Sequence, residues 1–486
     1  MPLPRCSLVE ARVDPAGVAD FIAACESAPG LQLHSLLILR ERRVCFEAHW
    51  APYTADRPRL LYSLSKMFLS AATGLAVADG AFGYDDPIAG LFADAVDPAS
   101  VGPKARTIRV RDCLSMTTGH AVDLDPTPAL LAPGLTGLAS WLRTEPTGTV
   151  GETFCYHQYA PYACSAAISH RTGRDAHTLL TERVFDRLGA DPGWWTRDAG
   201  GRAWGWSHLH LPPESIAAFA RLIDDGGVHD GEQLLPPEWL AEFSRPHART
   251  DAETNPDWRY GYGWQVWLSR HGFRGDGAYG QFCLFWPDAD AIVVLTGATE
   301  NMQGVLDRVW DHLYPAFDRA PTGDEAALLE TTRTLALATP TTDADGPASL
   351  TAAGPAGDVE LTRAGDGWTL CWRDARGGDS TFAVGAGGWV EGELTFPAHT
   401  LPVAAAGGFA DGAFTARLVL TSTPHAALLT LRDGRATLRW ETMPLVGAEP
   451  ALVALTSGTP RPDGDLDTAR HLVAWGSPTG HGREYR

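Results

Sequence analysis

The sequence predicts an α+β fold in which strands from both ends of a first domain share one antiparallel sheet, followed by a separate antiparallel β domain. Three observations predict it. Two runs rich in apolar and aromatic residues, 34–40 and 43–50, indicate a β-hairpin. Apolar residues then recur at helical spacing from Leu64 to Leu75. Beyond residue 359, short alternating segments punctuated by Gly and Asp indicate a sandwich or small barrel.

The elements of the first domain follow in order along the chain. Further helices are predicted near Val18–Cys25, within Thr107–Gly119, and over Tyr162–Arg171, His177–Leu188, Pro213–Asp225 and Val305–Phe317. Strands are predicted over Tyr262–Leu268, Gln281–Trp286 and Ala291–Thr296. The expected organisation is an α+β domain over residues 1–325, a linker over 326–358, a β domain over 359–458 and a mobile tail over 459–486.

Composition excludes several classes of partner. The formal net charge is −20 and the pI is about 5.2, so nucleic acid and anionic membrane surfaces are poor partners. The chain has no run of 18 apolar residues and no signal-peptide pattern at its start, and its eight cysteines are scattered without a C-x-x-C pair. These features predict a cytoplasmic protein with reduced thiols, no membrane association and no cofactor.

One tetrapeptide contains the candidate nucleophile and the candidate base. The chain has only two lysines, and one of them lies in Ser63-Leu64-Ser65-Lys66. Residues three apart share a face of a helix, so this spacing places an amine beside a hydroxyl. A buried ammonium can lose its proton and act as a base, whereas a guanidinium stays charged. The pattern therefore predicts that Lys66 activates Ser63 as a nucleophile. The alternative is a purely structural pair, in which Ser63 caps the helix and the Lys66 ammonium extends to solvent.

Two later segments supply the other groups that such a nucleophile needs. Tyr156 and Gln158 precede a predicted helix and offer a phenol and an amide, and the phenol could share a proton with the amine. The glycine-rich stretch around Gly277 allows a backbone to approach a bound acyl group closely. The backbone N–H of Ala278, paired with that of Ser63, could hold a developing oxyanion.

The order of these segments resembles the class C β-lactamase and penicillin-binding-protein superfamily of serine hydrolases. S-x-x-K is the nucleophile signature of that group. The resemblance spans about residues 30–315 and extends to a C-terminal domain similar to the lipocalin-like appendage of related hydrolases. It implies that Ser63 is acylated, that Lys66 activates it, that Tyr156 matches the tyrosine of Tyr-x-Asn, and that Gly277 and Ala278 stand at the Lys-Thr-Gly strand.

Two departures from the family pattern bear on the substrate. Glycine 275 stands where the family lysine binds a β-lactam carboxylate, and Gln158 replaces asparagine. Arg274 could compensate for the missing cation, although the sequence leaves its direction open. Both departures favour ester, amide or small peptide substrates that lack that carboxylate.

The sequence also contains patterns that are typical of other kinds of site. The stretch from Gly275 to Gly280 matches a dinucleotide-binding pattern, but a strand rather than a helix follows it. His208 and His210 could share a strand face, yet no further ligands complete a zinc site. His120 and His271 border the expected site and could touch substrate, with surface placement as the alternative.

Three functions stay open at this point. The first is a serine hydrolase that acts on esters, small amides or peptides through an acyl-enzyme. The second is an acyltransferase or peptide cyclase that uses the same intermediate and passes the acyl group to an amine. The third is a binding module that has lost turnover.

Overall fold

Two buried apolar cores organise the chain. The computed structural model describes residues 3–122, 134–343, 346–354, 357–374, 378–396 and 399–445. A large core is drawn mainly from residues 3–337, and a second core from residues 352–440. The predicted tail, 459–486, and residues 446–458 of the predicted β domain lie outside the described residues. No helix in the described part of the chain is long and apolar enough to cross a bilayer.

The first core is built on a six-stranded antiparallel sheet. Its strands lie in the order β2-β1-β11-β10-β9-β8. Their bounds are β1 Gln32–Arg40, β2 Arg43–His49, β8 Trp267–Ser269, β9 Gly272–Gly277, β10 Gln281–Trp286 and β11 Ala291–Ala298. Early and late strands of the domain are therefore neighbours, as the sequence predicts, because β1 pairs with both β2 and β11.

Helices cover this sheet and form a further layer beside it. Their bounds are α1 Pro15–Glu26, α2 Ser65–Ala78, α3 Ile88–Leu91, α4 Val110–Leu114, α5 Thr136–Arg143, α6 Tyr159–Thr172, α7 Ala176–Leu180, α8 Asp186–Leu188, α9 Pro213–Asp224, α10 Pro237–Phe243, α11 Met302–Arg308 and α12 Glu325–Thr332. Helix α9 packs against β1 and β11, while α2 contacts β9 and α6. Residues 65–76 of α2 are all buried, so this helix lies between the sheet and the helical layer.

Short strands connect these layers. A three-stranded sheet joins β3 Arg59–Leu60, β5 Leu209–Leu211 and β4 Trp194–Trp195, and a small hairpin joins β6 Val228–His229 to β7 Glu232–Gln233. Strand β3 runs directly into the turn that carries Ser63, so its pairing with β5 fixes the start of that turn.

The second core is the interior of a closed barrel. Its strands are β12 Ser349–Gly354, β13 Gly357–Ala364, β14 Gly367–Asp374, β15 Asp379–Ala386, β16 Val390–Phe396, β17 His399–Ala410, β18 Ala413–Leu420, β19 Ala426–Arg432 and β20 Arg435–Trp440. Eight of them close a ring, because β15 also pairs with β17, and β16 forms a hairpin on β17. Tryptophan and leucine side chains fill the interior and leave a cavity of only about 10 Å³. The lipocalin likeness stays a prediction.

The structure differs from the sequence-based expectation at three places. The interval 326–358 contains most of α12 and all of β12, so it is not a plain linker. Strand β17 was not predicted. The predicted strand Tyr262–Leu268 is reduced to β8, because Gln265 has a left-handed backbone (φ 65°) and its amide donates to the carbonyls of Cys113 and Leu114.

Candidate active site

Ser63 lies on a tight turn at the N-terminus of a buried helix. Residues Tyr62–Leu64 form one 3-10 turn, which leads directly into α2. The N–H of Leu61 donates to the carbonyl of Leu209 at 2.9 Å and so ties the turn to β5. Ser63 is half-buried, whereas Tyr62 and Leu64 on either side are buried. The turn thus presents the Ser63 side chain at the edge of an otherwise closed core.

Lys66 is buried beside Ser63, and its neighbours include three oxygen atoms. Its side chain is 1% exposed. The Nζ atom lies 2.9 Å from Ser63 Oγ, 2.8 Å from Gln158 Oε1 and 2.9 Å from the carbonyl oxygen of Trp206. The structure therefore brings Ser63, Lys66 and Gln158 together.

These three oxygen atoms differ in whether they can donate a proton to Lys66. The amide oxygen of Gln158 and the carbonyl of Trp206 can only accept, so each takes an N–H from Lys66 in either protonation state. The Ser63 hydroxyl can donate as well as accept. A neutral amine that donates its two N–H groups to these acceptors can itself accept from the Ser63 O–H. The arrangement suits transfer of the serine proton to Lys66.

The aromatic ring of Tyr156 also lies close to this amine. The Nζ atom of Lys66 is 4.8 Å from the centre of the Tyr156 ring, which is itself buried. The ring stacks on Trp267 at 5.4 Å and meets the edge of Tyr262 at 6.0 Å. Aromatic packing thus holds the phenol in one place beside Lys66.

Strand β9 comes into direct contact with the nucleophile turn at Gly277. A Cβ atom at this position would lie 2.0 Å from the carbonyl oxygen of Leu61 and 3.0 Å from the backbone nitrogen of Leu64. Only glycine fits such an approach. Ala278 follows immediately, so its backbone lies next to the Ser63 turn. The first N–H groups of a helical turn have no acceptor within that turn, and Ser63 lies in the first turn.

Arg274 does not replace the missing family lysine. Its side chain is fully buried, donates to the carbonyls of Asp257 (2.9 Å) and Leu268 (3.3 Å), and lies 4.6 Å from the Trp258 ring centre. It also pairs with the buried carboxylate of Asp276 at 3.1 Å. Burial raises the pKa of the Asp276 carboxyl, and the pairing opposes that shift. The question that the sequence left open is thus answered: Arg274 is committed to structural contacts.

The candidate histidines have structural surroundings. His120 is buried rather than on the surface, and Thr118 Oγ1 lies 3.0 Å from its Nδ1 and 2.8 Å from His157 Nε2. His271 stacks on Tyr314 with ring centres 3.7 Å apart. His208 and His210 are buried, and no group of three or more His, Cys, Asp or Glu side chains in the described ranges is placed to hold a metal ion.

Sequence reasoning missed two groups at this site. The Trp206 carbonyl is a backbone atom, and no residue-type pattern marks it. Asp276 was seen only as part of a glycine-rich strand, although it lies within electrostatic range of Lys66. Asp276 could have been identified from the sequence, because an acidic residue stands there in the segment that corresponds to the family's Lys-Thr-Gly strand.

A mixed α and β domain with a serine and a buried lysine at the helix mouth defines the class of serine β-lactamases and penicillin-binding proteins. The chain belongs to the Beta-lactamase family, whose model matches residues 18–313. No curated protein matches the chain.

The chain is similar to solved structures at low sequence identity. A candidate β-lactamase from Bacteroides dorei DSM 17855 is 15% identical with a TM-score of 0.52, and the match covers 62% of this chain and 99% of that one. SurE is 19% identical with a TM-score of 0.50, covering 88% and 99%. A penicillin-binding protein homologue from Caulobacter crescentus is 16% identical with a TM-score of 0.49, covering 63% and 98%.

Proposed function

We propose that this protein is a serine hydrolase that forms an acyl-enzyme on Ser63 and acts on esters, small amides or peptides. The observation that carries the proposal is the buried Lys66 amine, 2.9 Å from Ser63 Oγ and held by two obligate acceptors. Such an amine is positioned to take the hydroxyl proton as Ser63 attacks a carbonyl.

The steps follow from the atoms in place. Ser63 Oγ bonds to the substrate carbonyl carbon while its proton passes to Lys66 Nζ. The carbonyl oxygen becomes negative and accepts from the backbone N–H groups of Ser63 and Ala278. The leaving group then departs with a proton from the Lys66 and Tyr156 pair, and water attacks the ester on Ser63 in the reverse sense.

The substrate is proposed to lack a carboxylate at the position that β-lactams use. Glycine 275 provides no cation, and Arg274 is occupied by Asp257, Leu268 and Asp276. A substrate carboxylate would also approach the carboxylate of Asp276, which lies in the same strand. Neutral esters and amides need no cation at position 275 and are not repelled by Asp276. We therefore expect them to acylate Ser63 faster than penicillins do.

The test combines turnover and labelling. Purified protein is assayed with p-nitrophenyl butyrate and labelled with a fluorophosphonate probe, with Ser65→Ala as the matched control for Ser63→Ala. Ser65 is the first residue of α2, two positions after Ser63, and its hydroxyl accepts from the Leu209 N–H at 3.1 Å. We expect Ser63→Ala to lose both signals and Ser65→Ala to keep them. Labelling that persists in Ser63→Ala would falsify the nucleophile assignment.

A second arm separates hydrolysis from acyl transfer. The same ester is incubated with and without a primary amine, and the free acid and the amide are counted by mass spectrometry. The proposal predicts the free acid as the main product. An amide product that dominates at millimolar amine would favour the acyltransferase alternative instead.

A further inference from the structure

The C-terminal barrel reaches the nucleophile turn itself. Its β18–β19 loop, residues 421–425, is buried against the first domain, and the Leu60 N–H donates to the Ser422 carbonyl at 2.8 Å. Leu60 is the last residue of β3, three positions before Ser63. The chain segment after β20 also contacts this region, because Leu445 packs against Leu60, Tyr62 and Tyr279. The C-terminal part of the chain therefore contacts the residues that lead into the Ser63 turn.

The first contact joins Tyr62 to His425. The Tyr62 hydroxyl lies 2.5 Å from His425 Nε2, and His425 Nδ1 lies 3.0 Å from the Thr442 carbonyl oxygen. A carbonyl can only accept, so Nδ1 carries the proton and Nε2 accepts from the phenol. Burial lowers the pKa of His425 to about 3, which keeps the ring neutral and the direction fixed.

The second contact joins Tyr279 to the barrel. Its hydroxyl donates to the carbonyl oxygen of Met443, which lies three residues beyond the end of β20. The Tyr279 ring meets the edge of His425 at 5.1 Å and that of Tyr62 at 5.3 Å. Both tyrosines and the histidine are buried. Three rings therefore form one packed cluster shared by the two domains.

The two tyrosines occupy equivalent places in the proposed oxyanion hole. Tyr62 immediately precedes Ser63, and Tyr279 immediately follows Ala278. Both have left-handed backbones, with φ of 48° and 67°. A bulky residue adopts this conformation only where its surroundings hold it there. In each case the hydroxyl of the strained residue is anchored in the barrel.

We infer that the barrel acts as a clamp on the oxyanion hole, with Tyr62, Tyr279 and His425 as positioning residues for the N–H groups of Ser63 and Ala278. The inference rests on the proposed function. Because each phenol is one residue from a donor N–H, release of either hydroxyl lets that donor move, and misplacement by about 1 Å can cost a hundredfold in rate.

A neighbouring contact provides the matched control. Tyr53 is also buried, and its hydroxyl donates to the carbonyl of Thr423 in the same barrel loop at 2.8 Å. It fastens the two domains but lies ten positions from Ser63. Tyr53→Phe therefore removes an interdomain hydrogen bond of the same kind without loosening a residue next to an oxyanion donor.

The experiment measures kcat, KM and thermal midpoint for Tyr62→Phe, Tyr279→Phe and Tyr53→Phe with p-nitrophenyl butyrate, and the fluorophosphonate labelling rate of each. We expect kcat and the labelling rate to fall about ten- to a hundredfold in the first two variants, with KM within about twofold. All three variants are expected to lose thermal stability by similar amounts, while Tyr53→Phe keeps kcat within about twofold.

A double-variant cycle sharpens the result. Adding Tyr62→Phe to His425→Leu should lower kcat little below that of His425→Leu alone, because the Tyr62–His425 hydrogen bond is already absent in that background. Wild-type kcat in Tyr62→Phe and Tyr279→Phe, or an equal loss in Tyr53→Phe, would overturn the clamp. Failure of the proposed function looks different, since the wild-type protein would then show neither turnover nor labelling of Ser63.

Discussion

Replacing Gly277 by alanine tests how closely β9 must approach the nucleophile turn. The new Cβ atom would lie 2.0 Å from the Leu61 carbonyl oxygen, whereas ordinary contact begins near 3.4 Å. The difference between 3.4 and 2.0 Å, about 1.4 Å, must be relieved by moving β9 or the turn. The atoms that the new Cβ would meet, the Leu61 oxygen and the Leu64 nitrogen, belong to the backbone. Rotation of a side chain therefore cannot relieve the clash.

The consequence for activity follows from that displacement. Ala278 is the next residue, so its N–H moves with the strand and leaves the position where the oxyanion forms. Loss of one such donor costs about 10²–10³ in kcat. Overpacking of this kind also destabilises by about 1–3 kcal/mol. We therefore expect Gly277→Ala to fold with a lowered thermal midpoint and to lose at least about a hundredfold in kcat.

The assay is p-nitrophenyl butyrate hydrolysis together with thermal unfolding, with Gly90→Ala as control. Gly90 lies in α3 and a Cβ atom there meets nothing within 4 Å. We expect the control to match wild type in kcat and to be as stable or slightly more so. A Gly277→Ala protein with wild-type kcat would refute the reasoning, because the strand could then move without disturbing the site.

Three further predictions concern charged groups. Lys66→Arg should lose about a thousandfold in kcat, as much as Lys66→Ala, because the guanidinium keeps its charge and cannot accept the serine proton, whereas Lys104→Arg should match wild type. Arg274→Met should destabilise by about 3–5 kcal/mol in urea unfolding, since it leaves the Asp276 carboxylate buried without its partner, and adding Asp276→Asn should recover part of that loss. Burial raises the pKa of Glu253 to about 7, so the folded state binds a proton that the unfolded state has released above pH 4.5, and stability should fall as pH rises from about 4.5 to 7. Urea unfolding of Glu253→Gln should show a weaker fall over that range, and an unchanged pH profile would contradict the assignment.

Local patterns predicted the main sheet and the helix that carries Lys66. The hairpin 34–50 and the strand 281–286 have continuous apolar or alternating residues that mark buried strands, and the structure contains both. Strand β17 escaped prediction because Pro402 and a run of alanines and glycines resemble a loop. In the barrel these small residues are required, since a Cβ at Gly407 would lie 2.9 Å from the Phe414 ring.

The contacts between the domains could not be predicted from local patterns. Tyr62 and His425 are 363 positions apart, and nothing in the neighbourhood of either residue indicates the other. The same holds for the Trp206 carbonyl that accepts from Lys66, because a backbone oxygen belongs to every residue type. The direction of Arg274 depended on Asp257, Leu268 and Asp276 together, a set that only the packed strands bring into reach.

The most direct measurement is intact-mass analysis of the protein quenched in acid during turnover of an activated butyrate ester, followed by peptide mapping. An acyl-enzyme mechanism predicts one added butyryl group, located on Ser63 and accumulating before steady state. It also predicts that Lys66→Arg forms the same adduct far more slowly. A butyryl group found on another residue, or turnover of the ester without any covalent adduct at Ser63 in rapid-quench samples, would contradict the account.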